Sequence, residues 1–387
     1  MENFLTEEQE RWAVEAQEEA LALLCALGRI PAPSHQEEKR SEFVKAWLEE
    51  RGARGVYIDE AKNVIYPYAC EEAAEICVFM AHLDVVFPDL EELPLRREGG
   101  RIYAPGIGDD TANLVNLLLA AGYVTEMGLK PPAGRGILFA ANSCEEGLGN
   151  LKGCRAIMER RGSRVREFIS FDCYLGQCVD QAVGSCRYRV TVRTEGGHSY
   201  ANFGNRSAIA CLAEMVRQIY AKEPPQKAKT TYNVGVIQGG STINSIAEEA
   251  SMLYEFRSLD RECLAEMEAF FRELVKGWRR DGLEIEVETL GERPCGSLDV
   301  PEEARRRQAA LTGRSRAIIQ RYFGGRLLVE AGSTDANIPL SLGIPANTIG
   351  TVSGGGAHTR GEWIEAASLL PGLKVALACV LAAFKKG

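Results

Sequence analysis

Residues 75–84, "EICVFMAHLD", decide how the rest of this chain is read. Ile76 to Ala81 are apolar without alternation, the signature of a strand covered on both faces rather than one with a wet side. The run stops on His82, and Asp84 follows two residues later. In open α/β sheets, ligands collect outside the carboxyl ends of the strands. In a His-x-Asp pair the carboxylate can accept the second ring N–H, which leaves the other nitrogen for a metal. Alone, the pair equally describes a hydrogen-bonded structural histidine.

Working outward, other apolar runs end in the same way. "GIGDDTAN" sets Asp109 and Asp110 before an apolar helix that reaches Gly128, where an aspartate could also be no more than an N-cap. "GRGILFAANSCEE" is a strand ending at Glu145 and Glu146, adjacent acids that repel each other. They make sense if one binds a metal and its neighbour is a general base. "EFISFD" stops on Asp172, and the glycine-rich "SGGGAHTRGEW" presents His358. His35, in "PAPSHQEE", reads as a surface histidine. Four strand ends thus carry His, Asp, Glu and Asp, and a late loop returns with His. Two imidazoles and three carboxylates suffice for two zinc ions that share one aspartate.

Runs apolar on both faces, separated by helices, predict an α/β fold with a central, mostly parallel sheet flanked by helices. Thr6 followed by Gln9 predicts a capped first helix reaching Leu27. Near Gly184 the texture changes: "CRYRVTVRTEG" alternates polar and apolar. It opens a strand–helix–strand–strand–helix–strand series, the split ferredoxin-like βαββαβ unit. The expected division is a catalytic domain of residues 1–184 and 296–387, interrupted by an inserted domain of residues 185–295.

At 387 residues, 45% apolar and 26% charged, the chain has the size and balance of about two globular domains. A net charge of −9 without a basic block argues against nucleic acid and anionic membrane as partners. No apolar run is long enough to predict a transmembrane helix. The acidic N-terminal stretch lacks a signal peptide's basic region, so a cytoplasmic location is expected. The 12 cysteines are scattered and form no C-x-x-C, which predicts reduced core thiols rather than zinc ligands.

With its motifs in this order, nearly the whole chain resembles the di-zinc exopeptidases and amidohydrolases that include tripeptidase T, carboxypeptidase G, aminoacylase and succinyl-diaminopimelate desuccinylase. The resemblance implies that His82, Asp109, Glu146, Asp172 and His358 hold two zinc ions, with cobalt or manganese as substitutes. Asp109 would bridge them, Asp84 would orient His82, and Glu145 would be the general base toward a metal-activated hydroxide. "GGHSYANFGNRSAI" is similar to the family's lid histidine motif, which makes His198 the group that steadies the oxyanion. "GGSTINSIAEEASMLYEFRS" implies that Asn244 and Arg257 hold a substrate carboxylate. The inserted domain would be a lid and the interface of a homodimer. The implied substrate is a small peptide or N-acyl amino acid. The sequence departs from the family at Thr111, where lysine is usual, at Asn113, where glycine is, and at Cys144, beside the base. A non-catalytic dimeric relative of the same fold is the alternative, disfavoured because every catalytic group is present. A cysteine hydrolase using Cys144 or Cys173 fails for want of a histidine of its own.

Overall fold

In the computed structural model, which describes residues 3–279, 282–296 and 300–385, the run at 75–82 lies near the middle of an eight-stranded sheet. The chain divides into two compact units, residues 1–182 with 299–387, and residues 183–298. The first unit holds the large sheet. Its strands are β1 (Tyr57–Ile58), β2 (Val64–Tyr68), β3 (Glu75–His82), β4 (Arg135–Asn142), β5 (Val165–Phe171), β6 (Gln177–Ala182), β7 (Leu328–Gly332) and β8 (Ala346–Ile349). They lie in the order β1-β2-β4-β3-β5-β8-β6-β7. The neighbours of β3 run parallel to it, as do the pairs β5–β8 and β6–β7. The pairs β1–β2, β2–β4 and β6–β8 are antiparallel, so the sheet is mixed.

The absence of alternation in β3 now has its cause. Ile76, Val78 and Met80 enter one hydrophobic core, while Cys77, Phe79 and Ala81 enter the other. Helix Lys152–Arg161 covers the first face, through Cys154, Ile157 and Met158. Helices Ala112–Glu126 and Leu369–Ala382 cover the second. On that second face one ring per strand stacks across β2, β4, β3 and β5. Tyr66–Phe139, Phe139–Phe79 and Phe79–Phe171 have centroids 5.8, 6.1 and 6.3 Å apart, within the range of favourable offset stacking.

Two expectations for the first unit are refined. Thr6 and Gln9 form the reciprocal capping box, but the helical pattern through Leu27 is divided at Ala16 into Glu7–Glu15 and Gln17–Leu27. Neither Asp109 nor Asp110 caps the helix that follows, whose N-cap is Thr111 without a side-chain bond.

The second unit is a four-stranded antiparallel sheet ordered Thr230–Gly239, Glu249–Ser258, Gly184–Arg193, Glu284–Arg293. Helices Ala208–Tyr220 and Arg261–Trp278 pack on it through Leu212, Met215, Met267 and Phe271. This is the βαββαβ arrangement. A small additional pairing joins Gly197–His198 to Ser245–Ile246.

The large sheet also fixes where a ligand would bind. From β3 the chain passes to β4 on one side and then to β5 on the other, so strand order reverses around β3. Register sets His82 beside Asn142 of β4 and Met80 beside Ser170 of β5. The acids just past β4 and β5 therefore emerge level with His82, at the reversal where such sheets bind ligands.

Candidate metal centre

Asp109 lies between the two imidazoles. Its Oδ1 is 3.1 Å from His82 Nε2, and its Oδ2 is 3.2 Å from His358 Nε2. His358 Nε2 also stands 3.3 Å from Glu146 Oε1. Two sets, His82–Asp109–Glu146 and His82–Asp110–Asp172, each offer one ligand atom per residue within 4.8 Å of one another. Zinc bonds of about 2.0–2.1 Å in a tetrahedron set ligand atoms about 3.3–3.4 Å apart. The observed separations match that edge, and the donors are those that zinc prefers. The residues present therefore fit divalent cations.

The electrostatics agree. Burial, with the charges of Asp109 and Glu145, pushes Asp172 up to about 7. Burial also raises Glu146 to about 8, against the pull of its hydrogen bond with His358. Hydrogen bonds to Asp109 and Glu146 lift His358 to about 11. Burial opposes the charge on His82, but Asp110, Asp109 and Asp84 hold its pKa well above the usual value. Buried Asp110 is pushed upward too, and its Oδ1 has no hydrogen-bond partner. So many acids in one buried place are costly unless cations offset them.

Asp84 orients the centre differently from the sequence expectation. His82 Nδ1 meets the main-chain oxygen of Asp84 at 2.9 Å, and the carboxylate Oδ1 at the longer 3.4 Å. The Asp84 carboxylate instead accepts the backbone N–H groups of Glu145 and Glu146, each at 3.0 Å. One residue thus fixes both the imidazole and the turn that carries the two glutamates. Buried Glu37 supports the same turn by accepting the N–H of Cys144 at 3.1 Å and its thiol at 3.2 Å. Burial, with Glu37 alongside, pushes the Cys144 thiol up to about 12, so it is not a nucleophile near neutral pH.

One further fact decides the family. The sequence profile of peptidase family M20/M25/M40 matches residues 78–382. The chain belongs to this family. N-acetyldiaminopimelate deacetylase of Listeria monocytogenes is 25% identical over 217 residues, 52% of this chain and 57% of that enzyme. The chain thus spans little more than half the length of that curated relative. Among solved structures, aminopeptidase PepT of Bacillus cereus superposes with a TM-score of 0.70 at 20% identity, over 95% of this chain and 99% of that one. YxeP of Bacillus subtilis, described as a dinuclear metal-binding peptidase, gives a TM-score of 0.60 at 15% identity, covering 95% and 99%. At such identities the structures establish the fold.

Two of the departures from the family pattern, Thr111 and Asn113, sit at the start of helix Ala112–Glu126 and tie it to the Asp109 loop. Thr111 Oγ1 donates to Gly106 O at 2.6 Å. Asn113 donates to the carbonyls of Gly108 and Cys173 at 3.2 and 3.0 Å, tying the Asp109 loop to the end of β5. Its Oδ1 accepts from Thr351 N and Oγ1 at 2.7 and 2.6 Å.

Beneath this loop lies Arg40, fully buried, which the sequence reading passed over. It donates to Leu83 O, Ile30 O and Leu27 O at 2.7, 2.7 and 3.2 Å, and to Thr111 Oγ1 at 3.3 Å. Burial lowers its pKa to about 10 against the attraction of Asp84 and Asp110, so it remains charged at neutral pH. Removing a buried cation that balances buried acids typically costs about 3–5 kcal/mol. Arg40→Met is expected to lose that much folding stability in urea denaturation, and a loss below about 1 kcal/mol would contradict this account.

Asp335, also passed over, completes the acidic surround. It is buried, accepts from Asn142 Nδ2 at 2.7 Å, and is raised well above the usual range by burial and by the Glu145 charge. It lies in "GSTDANIP", a loop whose single acid carries no sequence signal of its own.

The remaining candidates belong to the second unit. His198 accepts the N–H groups of Tyr200 and Ala201 on Nδ1 at 3.2 and 3.3 Å, which places the neutral ring's proton on Nε2. The main-chain oxygen of Asn244 accepts the Ser199 N–H at 2.9 Å. Arg257 does not present an open fork: its Nε and Nη2 grip Glu255 at 2.9 and 3.0 Å. Arg187 reaches the same glutamate at 3.5 Å.

Proposed function

We propose that this protein is a metal-dependent hydrolase that cleaves a peptide or N-acyl amide bond of a small, carboxylate-bearing substrate. The observation that carries the reading is Asp109, whose two oxygens face different imidazoles. A shared ligand between two cations has to be arranged in that way. His82 and Asp172 would hold one ion and His358 and Glu146 the other, with Asp109 common to both. Zinc is the natural occupant, and cobalt or manganese would suit the same donors. Divalent ions bound there would bring the pKa of water toward neutrality.

The chain's own residues supply the rest. Glu145, its backbone pinned by Asp84, takes the proton of the attacking water and returns it to the leaving amine. His198, with its Nε2–H available, donates to the oxyanion, a contribution of about 3–4 kcal/mol in comparable sites. Asn244 and Arg257 receive the substrate carboxylate, which exchanges with Glu255 on the guanidinium or binds its Nη1. Residues 183–298 serve as lid and dimer interface. Support for the interface comes from the edge strand Thr230–Gly239, where Val236 and Ile237 are exposed. Among the described residues no helix is long and apolar enough to cross a membrane.

Metal content by mass spectrometry, with turnover of di- and tripeptides and N-acetyl amino acids, tests the reading. About two zinc ions per chain are expected. Chelation should abolish turnover and added zinc should restore it, while the panel separates peptidase from deacylase. A folded protein that binds no zinc, cobalt or manganese and turns over nothing would make it a non-catalytic relative.

A further inference from the structure

Four residues after His358, Glu362 is fully buried with its carboxylate turned onto the loop that carries Asp109. Its Oε1 accepts the backbone N–H groups of Gly108 and Asp109 at 2.8 and 2.7 Å, and its Oε2 accepts that of Gly106 at 2.9 Å. Three amides of one loop thus converge on one side chain from the far end of the chain. The approach requires glycine. A Cβ on residue 108 would stand 3.0 Å from Glu362 Oε1, and residue 106, at φ +70°, would drive a Cβ to 2.2 Å from Val85 Cγ1.

The segment that supplies Glu362 also supplies His358. Thr359 N–H bonds to Gly356 O at 3.0 Å and Glu362 N–H to Thr359 O at 3.1 Å, closing a tight turn around the histidine. Beyond it, Trp363–Glu365 pairs with Arg101–Tyr103, the strand that leads into the Asp109 loop. The two loops are therefore joined by ladder bonds on one side and by the Glu362 carboxylate on the other.

We propose that Glu362 is a positioning residue that holds Asp109 between the two imidazoles and couples its pose to that of His358. The inference rests on the metal centre proposed above. A carboxylate is required because three donors meet two oxygens. Glutamine could serve Gly108 and Asp109 through its oxygen, but its NH2 would then face the Gly106 N–H, donor against donor. Aspartate, one methylene shorter, cannot span all three amides.

The effect should fall unequally on the two ions. His82 and Asp172 stand at strand ends and keep their places without the clamp. Asp109, shared by both ions, and His358 depend on the clamped loops, so one ion loses the pose of one ligand and the other the pose of two. Outer partners of metal ligands typically contribute about 10–100-fold to affinity.

The test titrates metal-free parent, Glu362→Gln and Glu362→Asp with zinc by calorimetry and with cobalt by visible absorption, with circular dichroism and Tm on each. Glu365→Gln, an exposed acid of the same hairpin, is the control. The parent and the control should bind two equivalents. Both Glu362 variants should weaken the second by about 10–100-fold and the first by clearly less. The cobalt bands of the second site should be altered, and aspartate should be affected less than glutamine. Two equivalents at parental affinity in both variants would overturn the inference while leaving the metal centre intact. Loss of fold in both would overturn it as well, since Glu362 would then support the whole unit rather than position a ligand. A parent that binds no metal would instead remove the reading on which the inference stands.

Discussion

Glu145→Gln is expected to lower kcat by about 10²–10⁴-fold while leaving metal content and KM close to those of the parent. The substitution keeps size and hydrogen-bonding geometry but removes the capacity to take a proton. The backbone should not move, because Asp84 holds the N–H groups of residues 145 and 146, and neither bond involves the altered side chain. Stability should not fall either. Glu145 raises the pKa of Asp172, Glu146 and Asp335 through its charge, so a neutral amide relieves repulsion among buried acids. A kcat collapse with intact zinc content and Tm therefore isolates proton transfer from metal binding. Retention of kcat within about threefold would take the general base away from Glu145 and reopen the choice among the neighbouring acids.

What could be foreseen from the sequence, and what could not, follows from the range over which each residue acts. The strand at 75–82 announced itself because both its faces are buried, and its end because an imidazole does not belong in an apolar run. His82, Glu145, Glu146 and Asp172 all follow such runs, and parallel register does the rest, bringing separate strand ends to one level. The βαββαβ series was equally visible, since each of its strands shows its own alternation. Arg40, Glu37, Asp335 and Glu362 were not visible, for a common physical reason. Glu37 and Arg40 belong to the charged run at 37–40 and Asp335 and Glu362 to loops, where charge ordinarily means solvent, yet each is buried here by partners distant in sequence. The bond from Gly106 to Glu362 spans 256 residues, and no local pattern encodes it. Arg257 is a different case. Its strand was plain, but Glu255 lies two residues away on the same face, and that spacing permits a pairing within the strand that a motif-based role does not anticipate.

His82→Ala should remove both metal ions together with turnover. In the proposed centre His82 holds one ion directly and touches Asp109, the ligand shared with the other, and its ring is 1% exposed, set between the Asp84 carbonyl and the Asp109 carboxylate. Alanine leaves a cavity there, and Asp109, Asp110 and Asp172 then face one another with one cationic partner fewer. Zinc content should fall below one ion per chain, and turnover by at least about 10³-fold, equivalent to about 4 kcal/mol of transition-state stabilisation. Activity alone would not separate a lost ligand from a distorted fold, but linkage does. A ligand that binds only the folded state at a hundred times its Kd stabilises it by about 2.7 kcal/mol. The parent should therefore gain Tm as zinc is added, and His82→Ala should show little or no gain over the same range. If the variant folds, keeps two zinc ions and gains Tm as the parent does, His82 is a structural histidine after all. The strand would then end on an imidazole because of its bond to the Asp84 carbonyl, and the ions would have to be held by Asp109, Asp110, Glu146, Asp172 and His358 without it.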